Sequence, residues 1–337
     1  MGTNIDKFFS SSNQHNCQNK ICEIYRFEIE SGLVGKTIRK KVRDRKNQNP
    51  NMVIWLLLLA FGGCENLAKD DLISNNLPLK ASPKQLEVDQ ILIPAGKFSM
   101  GDAKNEKDPW IRMSQPVRQV TINSFYMDIH EVTVGQFKQF IDDCHYRPDL
   151  VRVNGWNFER FWHCVARYSP EDNHPMVFVS WSDANNYAKW LGKRLPTESE
   201  WEYAARGGLV GNRYTWGDLI DQDQANCRGK SLRDQWHRTS PVGSFPANGF
   251  GLYDMGGNVW EWCSDWFHDT NSQRRSANMP SNQSSNQQKR RVLRGGFWND
   301  TQDSGLRVAI RLSVNPSIHQ NFFTLGSIGF RCVSDVE

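Results

Sequence analysis

The stretch Gly251–Phe267, GLYDMGGNVWEWCSDWF, limits what this chain can fold into more than any other. It sets two glycines, Asp254, Asn258 and Glu261 among tryptophans at 260, 262 and 266, a mixture that suits neither an amphipathic helix nor a plain strand. Gly256 and Gly257 permit backbone angles closed to other residues and let main-chain carbonyls turn towards one point. Asp254 and Glu261 flank that turn. Carboxylates and carbonyls so close together are the hard oxygen set that calcium prefers, with about six to eight ligands at roughly 2.3–2.6 Å. The spacing is not that of an EF-hand. A glycine turn between strands, with Trp260 and Trp262 in the core and the acids in solvent, is the plain alternative.

Thirteen tryptophans recur in turn-rich segments rather than at helical spacing, which points to an irregular fold whose loops are held by buried aromatics. A hydrophobic fraction of 38% is enough for one domain of about 250 residues with a large core, or for two smaller ones. The net charge of +4 is small for 337 residues, and the basic residues gather on no periodic element. Nucleic acid is therefore not an expected partner. The cysteines at 17, 22, 64, 144, 164, 227, 263 and 332 form no CxxC pair, so a zinc cluster is not expected. His130, His174, His237 and His319 could supply imidazoles for iron, but no two sit at ligand spacing on one element.

Residues 1–51 are polar and irregular and end in a basic run containing Lys40, Lys41, Arg43, Arg45 and Lys46. They read as a disordered leader, or as the result of a start codon placed too early. Residues 52–63, MVIWLLLLAFGG, are apolar but too short to span a bilayer of about 30 Å, which takes roughly 20 helical residues. A basic segment, a short apolar block and small residues make a secretory signal. The block ends Ala60-Phe61-Gly62-Gly63-Cys64, which resembles the bacterial lipobox, whose cysteine becomes the lipidated N-terminus. A buried core segment is the alternative reading. Residues 65–87 are polar and read as a tether. A lipid-anchored, extracytoplasmic position on the bacterial cell envelope follows.

The folded domain is expected over 88–334. Ile91–Gly101 reads as strand, turn and strand, and Pro116–Phe125 as a half-buried strand. Glu131-Val132-Thr133 leads into a helix with Phe137, Phe140 and Ile141 on one face. Residues 145–175 read as an aromatic-rich insertion loop. His174–Trp181 reads as a strand ending at a helix capped by Ser182 or Asp183, and Thr197 with Glu200 forms a capping box for the next helix. Beyond Gly207 periodicity fades. Residues 270–290 are a polar, low-complexity loop, and Arg291–Gly296 with Gly329–Val333 read as paired core strands.

Four motifs in order, GKRLPTESEWEYAARGG (192–208), GLYDMGGNVWEWCSDWF (251–267), RVLRGGFW (291–298) and GFRCV (329–333), closely resemble the formylglycine-generating enzyme, or sulfatase-modifying-factor, family. The resemblance implies an α+β, C-type-lectin-like fold with little regular secondary structure. It also implies two calcium sites. The first would use Asn226, the Cys227 carbonyl, Asp234 and the Trp236 carbonyl. The second would use Asp254, the carbonyls of Gly257 and Val259, and Glu261, with Asp254 standing where the family enzyme has asparagine.

The resemblance fails at the reaction centre. Enzymes of this family bind copper(I) through two cysteines and use oxygen to convert a sulfatase cysteine to formylglycine, and soft thiolates suit copper(I). Counting on from Gly295-Gly296, the family's serine is Phe297 and its two cysteine positions fall on Asp300 and Gly305, so neither copper nor that oxidation is expected. A family disulfide to Cys332 would need a partner at Ala188, and a second bridge loses its half at Ala205. Cys332 and Cys263 therefore read as buried thiols.

The window from Phe297 to Leu325 resembles the variable region of ligand-binding proteins diversified by retroelements, some of which are lipoproteins of this fold. Phe297, Asn299, Asp300, Val308, Ile310, Leu312, Ile318, His319, Phe322 and Phe323 would then form a binding face for a protein or glycan. Ile310, Leu312, Phe322 and Phe323 would make it an exposed apolar patch, while Gly295, Gly296, Arg307, Arg311 and Arg331 hold the scaffold. An ordinary drifted loop is the alternative. The expected function is a non-catalytic, membrane-anchored binding lipoprotein. An oxidase of the family, or a structural lipoprotein with an envelope protein partner, are the other readings.

Overall fold

Proline and glycine cut the first half of the domain into short strands. β1 (Gln90–Ile93) stops at Pro94, which has no N–H to continue a ladder, and β2 (Gly96–Met100) starts a new sheet. The computed structural model describes residues 88–104, 111–228, 235–268, 289–300, 305–316 and 322–337. The leader, the apolar block, Cys64 and the tether lie outside them, as does almost all of the 270–290 loop. No helix among the described residues is long and apolar enough to cross a membrane.

Three small sheets result. β1 lies against β4 (Phe125–Asp128), with Gln90 opposite Asp128, while β2 pairs with β3 (Arg118–Ile122). The expected strand–turn–strand is thus present, but its two strands belong to different sheets. The third sheet is centred on β5 (Trp260–Trp266). β6 (Arg291–Arg294) runs antiparallel on one side and carries β7 (Leu312–Val314), and the short β8 (Ile328–Gly329) is parallel on the other side. β9 (Val333–Asp335) returns to the first sheet beside β4. Arg291–Gly296 and Gly329–Val333 therefore do not pair with each other. Both edges of the buried β5 are occupied, one by each segment.

The helices follow their caps. α1 (Val134–Cys144) begins at Thr133, whose hydroxyl accepts from Gln136 N–H, and it buries Val134, Phe137, Phe140 and Ile141. The stretch expected as a loop instead contains α2 (Asp149–Arg152) and α3 (Phe158–Tyr168). Asn157 caps α3, and Phe161, Cys164, Val165 and Tyr168 recur at helical spacing on its buried face. α4 (Trp181–Trp190) is capped by Ser180, two residues before Ser182, with Asp183 as the reciprocal partner rather than the cap. Residues 176–180 before it are not a strand. An isolated bridge between Pro175 and Thr133 ties that approach to the start of α1, with Val134 N–H donating to the His174 carbonyl and Met176 N–H to the Val132 carbonyl.

α5 (Glu198–Arg206) has the expected Thr197–Glu200 capping box and ends at Gly207 in a left-handed conformation. From there to β5, a 3-10 turn at Gln222–Gln224 is the one helical or strand element among the described residues, in agreement with the faded periodicity. α6 (Phe322–Leu325) is a single turn.

The main core gathers α1, α3, α4 and β5 around Phe137, Phe140, Tyr187 and Phe330. Their rings meet at centroid distances of 5.3 to 6.4 Å, mostly edge to face. α5 adds buried charge. Glu202 accepts from Arg206 and Arg294, and Glu198 accepts from Arg311 at 2.6 and 2.7 Å. Arg294, fully buried, also donates to the carbonyls of Val308, Ala309 and Ile310. It thereby holds the backbone of that segment against the sheet.

Candidate functional site

The turn before β5 is strained in the way its glycines suggested. Gly257 sits at φ 89°, and Asp254 and Asn258 also take left-handed angles, 57° and 55°, which cost a residue with a Cβ. Gly257 has a second constraint, since a Cβ there would collide with the main-chain carbonyl of Asn226. The loop carrying Asn226 and the turn carrying Gly257 are therefore packed back to back. Asn258 joins them: its N–H donates to the Asn226 carbonyl at 2.9 Å and its Oδ1 accepts from Asn226 Nδ2 at 3.1 Å.

The acids expected in solvent under the plain reading are buried. Glu261, in β5, faces Arg331, whose Nε donates to both carboxylate oxygens at 3.0 and 2.8 Å, and Trp201 Nε1 adds a bond of 2.8 Å. Asp254 Oδ2 accepts from Gly243 N–H at 2.7 Å. Burial pushes the Asp254 carboxyl up to about 6, against the pull of that bond and of Arg331.

Beside them lies Glu131, an acid with no assigned role in the sequence. It is fully buried, its Oε2 accepts from Asn258 Nδ2 at 3.1 Å, and its Oε1 has no partner. Burial, then the nearby Asp254 and Glu261, push its carboxyl well above the usual carboxylate range. Asn226 Oδ1 is likewise buried without a partner, while its Nδ2 donates to the Arg238 carbonyl at 2.8 Å. Sealed oxygens with nothing to accept from are uncommon in native interiors. Here two of them, on Glu131 and Asn226, belong to residues that both hydrogen-bond to Asn258.

Among the described residues no three His, Cys, Asp or Glu side chains group as a metal cluster. That count leaves out carbonyls and amides, and both expected calcium sets rely on them. Of the first set, Asn226 and Cys227 are buried, Trp236 is half-buried against Phe245, and Asp234 lies outside the described residues. Of the second, Asp254, Gly257, Val259 and Glu261 are all buried on one turn and the strand that follows it.

At the positions matched to the family's thiols, Asp300 and Gly305 touch. A Cβ on Gly305 would lie 2.5 Å from both Cβ and Cγ of Asp300, so only glycine leaves room for the carboxyl. Asp300 Oδ2 accepts from Phe297 N–H at 3.1 Å, and burial pushes the carboxyl up to about 7. The described thiols, at 144, 164, 227, 263 and 332, form no disulfide with one another. Burial pushes those of Cys263 and Cys332 well above the usual range, as expected of inert core thiols.

The expected exposed face is corrected here. Val308 and Ile310 are 2% and 6% exposed and belong to the core, and Leu312 packs half-buried on the main core from β7. The cause is Arg294, whose need for acceptors draws the carbonyls of 308–310 inward. Phe297, Asn299 and Asp300 stay half-buried at the surface. Ile318 and His319 lie outside the described residues, and Phe322 and Phe323 are placed only as backbone in α6.

Comparison with known proteins agrees with this architecture. A model of the sulfatase-modifying factor enzyme 1-like domain matches residues 77–336. The formylglycine-generating enzyme of Streptomyces coelicolor is 36% identical over 289 residues, 74% of this chain and 90% of that enzyme. The serine/threonine-protein kinase pkn1 of Chlamydia caviae is 37% identical over 267 residues, but this chain spans only 40% of its length. PvdO from Pseudomonas aeruginosa superposes with a TM-score of 0.55 at 28% identity, covering 73% of this chain and 94% of PvdO. Treponema denticola variable protein 1 superposes with a TM-score of 0.50 over 73% of this chain and 95% of its own, at 19% identity, which speaks to the fold alone. With its α+β, C-type-lectin-like fold and a family match that runs almost the whole described length, the chain belongs to the sulfatase-modifying factor (formylglycine-generating enzyme) family.

Proposed function

We propose that this chain is a non-catalytic binding member of its family, held on the outer side of a bacterial membrane by lipid on Cys64. The observation that carries the reading is the contact of Asp300 with Gly305. Copper(I) needs soft sulfur ligands, and a carboxyl packed on a glycine offers none. Cys227 shares a small cluster with Leu306, next to Gly305, but one thiol does not make the pair. Phe297, Asn299 and Asp300, half-buried beside this turn, would contact a protein or glycan ligand. Calcium would be structural. Asp254, Glu261 and the carbonyls of Gly257 and Val259 would hold one ion, and Asn226, whose Oδ1 is sealed without a partner, would help hold the other.

The second reading is an oxidase, favoured by the 36% identity to the Streptomyces coelicolor enzyme over 90% of its length. A copper(I) titration of the purified chain separates the two. The binding reading expects no stoichiometric thiolate complex, and a tight complex lost on removing cysteines would favour the oxidase. Mass spectrometry of the Cys64 peptide from envelope fractions tests the anchor: diacylglyceryl on Cys64 is expected, and an unmodified cysteine within a continuous chain contradicts it.

A further inference from the structure

Between the end of α1, the turn that follows it and the start of α3 lies an open cavity of about 710 Å³, lined by Ile141, Asp142, His145, Tyr146, Arg147 and Phe158. Cavities that take small molecules are of this size, and they combine an apolar wall with a few polar groups. All six residues lie within 111–228, which the structure describes without a break.

The apolar wall is fixed in advance. α1 ends at His145 in a left-handed conformation, and Tyr146 N–H donates back to the Ile141 carbonyl at 3.1 Å. The Tyr146 ring packs on Phe140 with centroids 4.5 Å apart, and its hydroxyl donates to Asp183 Oδ1 at 2.8 Å and accepts from Asn186 Nδ2 at 3.1 Å. Phe158, the first residue of α3, follows the Asn157 cap and packs half-buried on the main core. Both rings are thus held before a ligand arrives, which lowers the ordering cost of binding.

The rim carries charge of both signs. Asp142, His145 and Arg147 are exposed, and among the described residues none of the three makes a side-chain hydrogen bond or an ion pair. Neighbouring charges are engaged: Lys138 is held by Asp172, and Arg152 by Asp149. Two fixed rings with an unpaired cation and an unpaired anion beside them match a ligand that has an apolar body and both charges.

From this we infer that the cavity binds a free α-amino acid with an apolar side chain. Arg147 takes the carboxylate, Asp142 takes the ammonium group, and Tyr146 and Phe158 flank the side chain. The site shares no residue with the surface at 297–300, so it stands whether or not that surface binds a ligand.

The test is a calorimetric titration of the full chain with L-phenylalanine at neutral pH, beside phenylalanine amide and N-acetylphenylalanine, each of which lacks one of the two charges. Arg147→Gln and Asp142→Asn are run in parallel, and a urea midpoint equal to wild type shows that each is folded. L-phenylalanine is expected to saturate one site on wild type. Removing either charge from the ligand, or its partner from the protein, is expected to weaken binding about fivefold. The amide should bind wild type and Arg147→Gln alike, and the acetyl derivative should bind wild type and Asp142→Asn alike. No saturable binding of L-phenylalanine by the folded chain, or binding that neither substitution weakens, overturns the assignment. Tighter binding of N-acetylphenylalanine amide than of the free amino acid also overturns it, in favour of a peptide segment.

Discussion

Arg331 and Glu261 are both buried, and they meet side on: Nε lies 3.0 and 2.8 Å from the two carboxylate oxygens and Nη2 lies 2.8 Å from Oε1. The remaining donors of Arg331 go to the carbonyls of Asp128, Ile129 and Tyr253. One guanidinium thus ties β5 to the loop after β4 and to the start of the glycine turn. Breaking such a pair leaves an uncompensated buried charge. Glu261→Ala is expected to lower stability by about 3–5 kcal/mol, read from the urea midpoint, whereas Glu261→Leu with Arg331→Met recovers part of the loss. A Glu261→Ala chain as stable as wild type would show that the pair does not hold this region.

Gly257→Ala combines a left-handed backbone with a collision against the Asn226 carbonyl. A loss of about 2 kcal/mol or more is expected from thermal unfolding. The proposed calcium adds a second signature. Chelation lowers the melting temperature of wild type and added calcium restores it, in proportion to the logarithm of its concentration. Gly257→Ala is expected to bind less calcium in metal analysis. A wild-type melt indifferent to chelator and calcium contradicts the metal assignment.

Asp300 makes stability depend on pH. Its carboxyl is raised from 3.8 to about 7 by burial, so the folded state holds the proton more tightly than the unfolded chain. This contribution is greatest below the unfolded value and is lost as pH rises from about 4 towards about 7. Asp300→Asn is expected to flatten that slope and to be the more stable form by about 1–3 kcal/mol at alkaline pH, after allowing for partial exposure. Parallel pH profiles for the two chains would show that Asp300 does not titrate in this range.

What could be seen in advance followed from local rules. The Thr197–Glu200 capping box and the Thr133 start of α1 are short-range patterns, and the four spaced motifs fixed the family and fold. α3 was hidden because Phe158 and Trp162, only partly buried, blur a stripe made by Phe161, Cys164, Val165 and Tyr168. The inward turn of Val308 and Ile310 goes with Arg294, a distant partner at the end of β6, which no periodicity over 308–312 records. Glu131 was missed for the same reason: its contact is with Asn258, 127 positions away. Local propensity reaches helices and turns, whereas these buried polar contacts are set by the tertiary fold.

The central claim is that the contact of Asp300 with Gly305 has replaced the thiol pair and with it the oxidation. Mass spectrometry of a sulfatase-type cysteine peptide, incubated with the purified chain, copper and oxygen, tests it most directly. The account predicts that the peptide keeps its cysteine thiol mass with no aldehyde product, while the Streptomyces coelicolor enzyme converts it under the same conditions. Formylglycine produced by this chain, and lost when Asp300 or Cys227 is replaced, would contradict it.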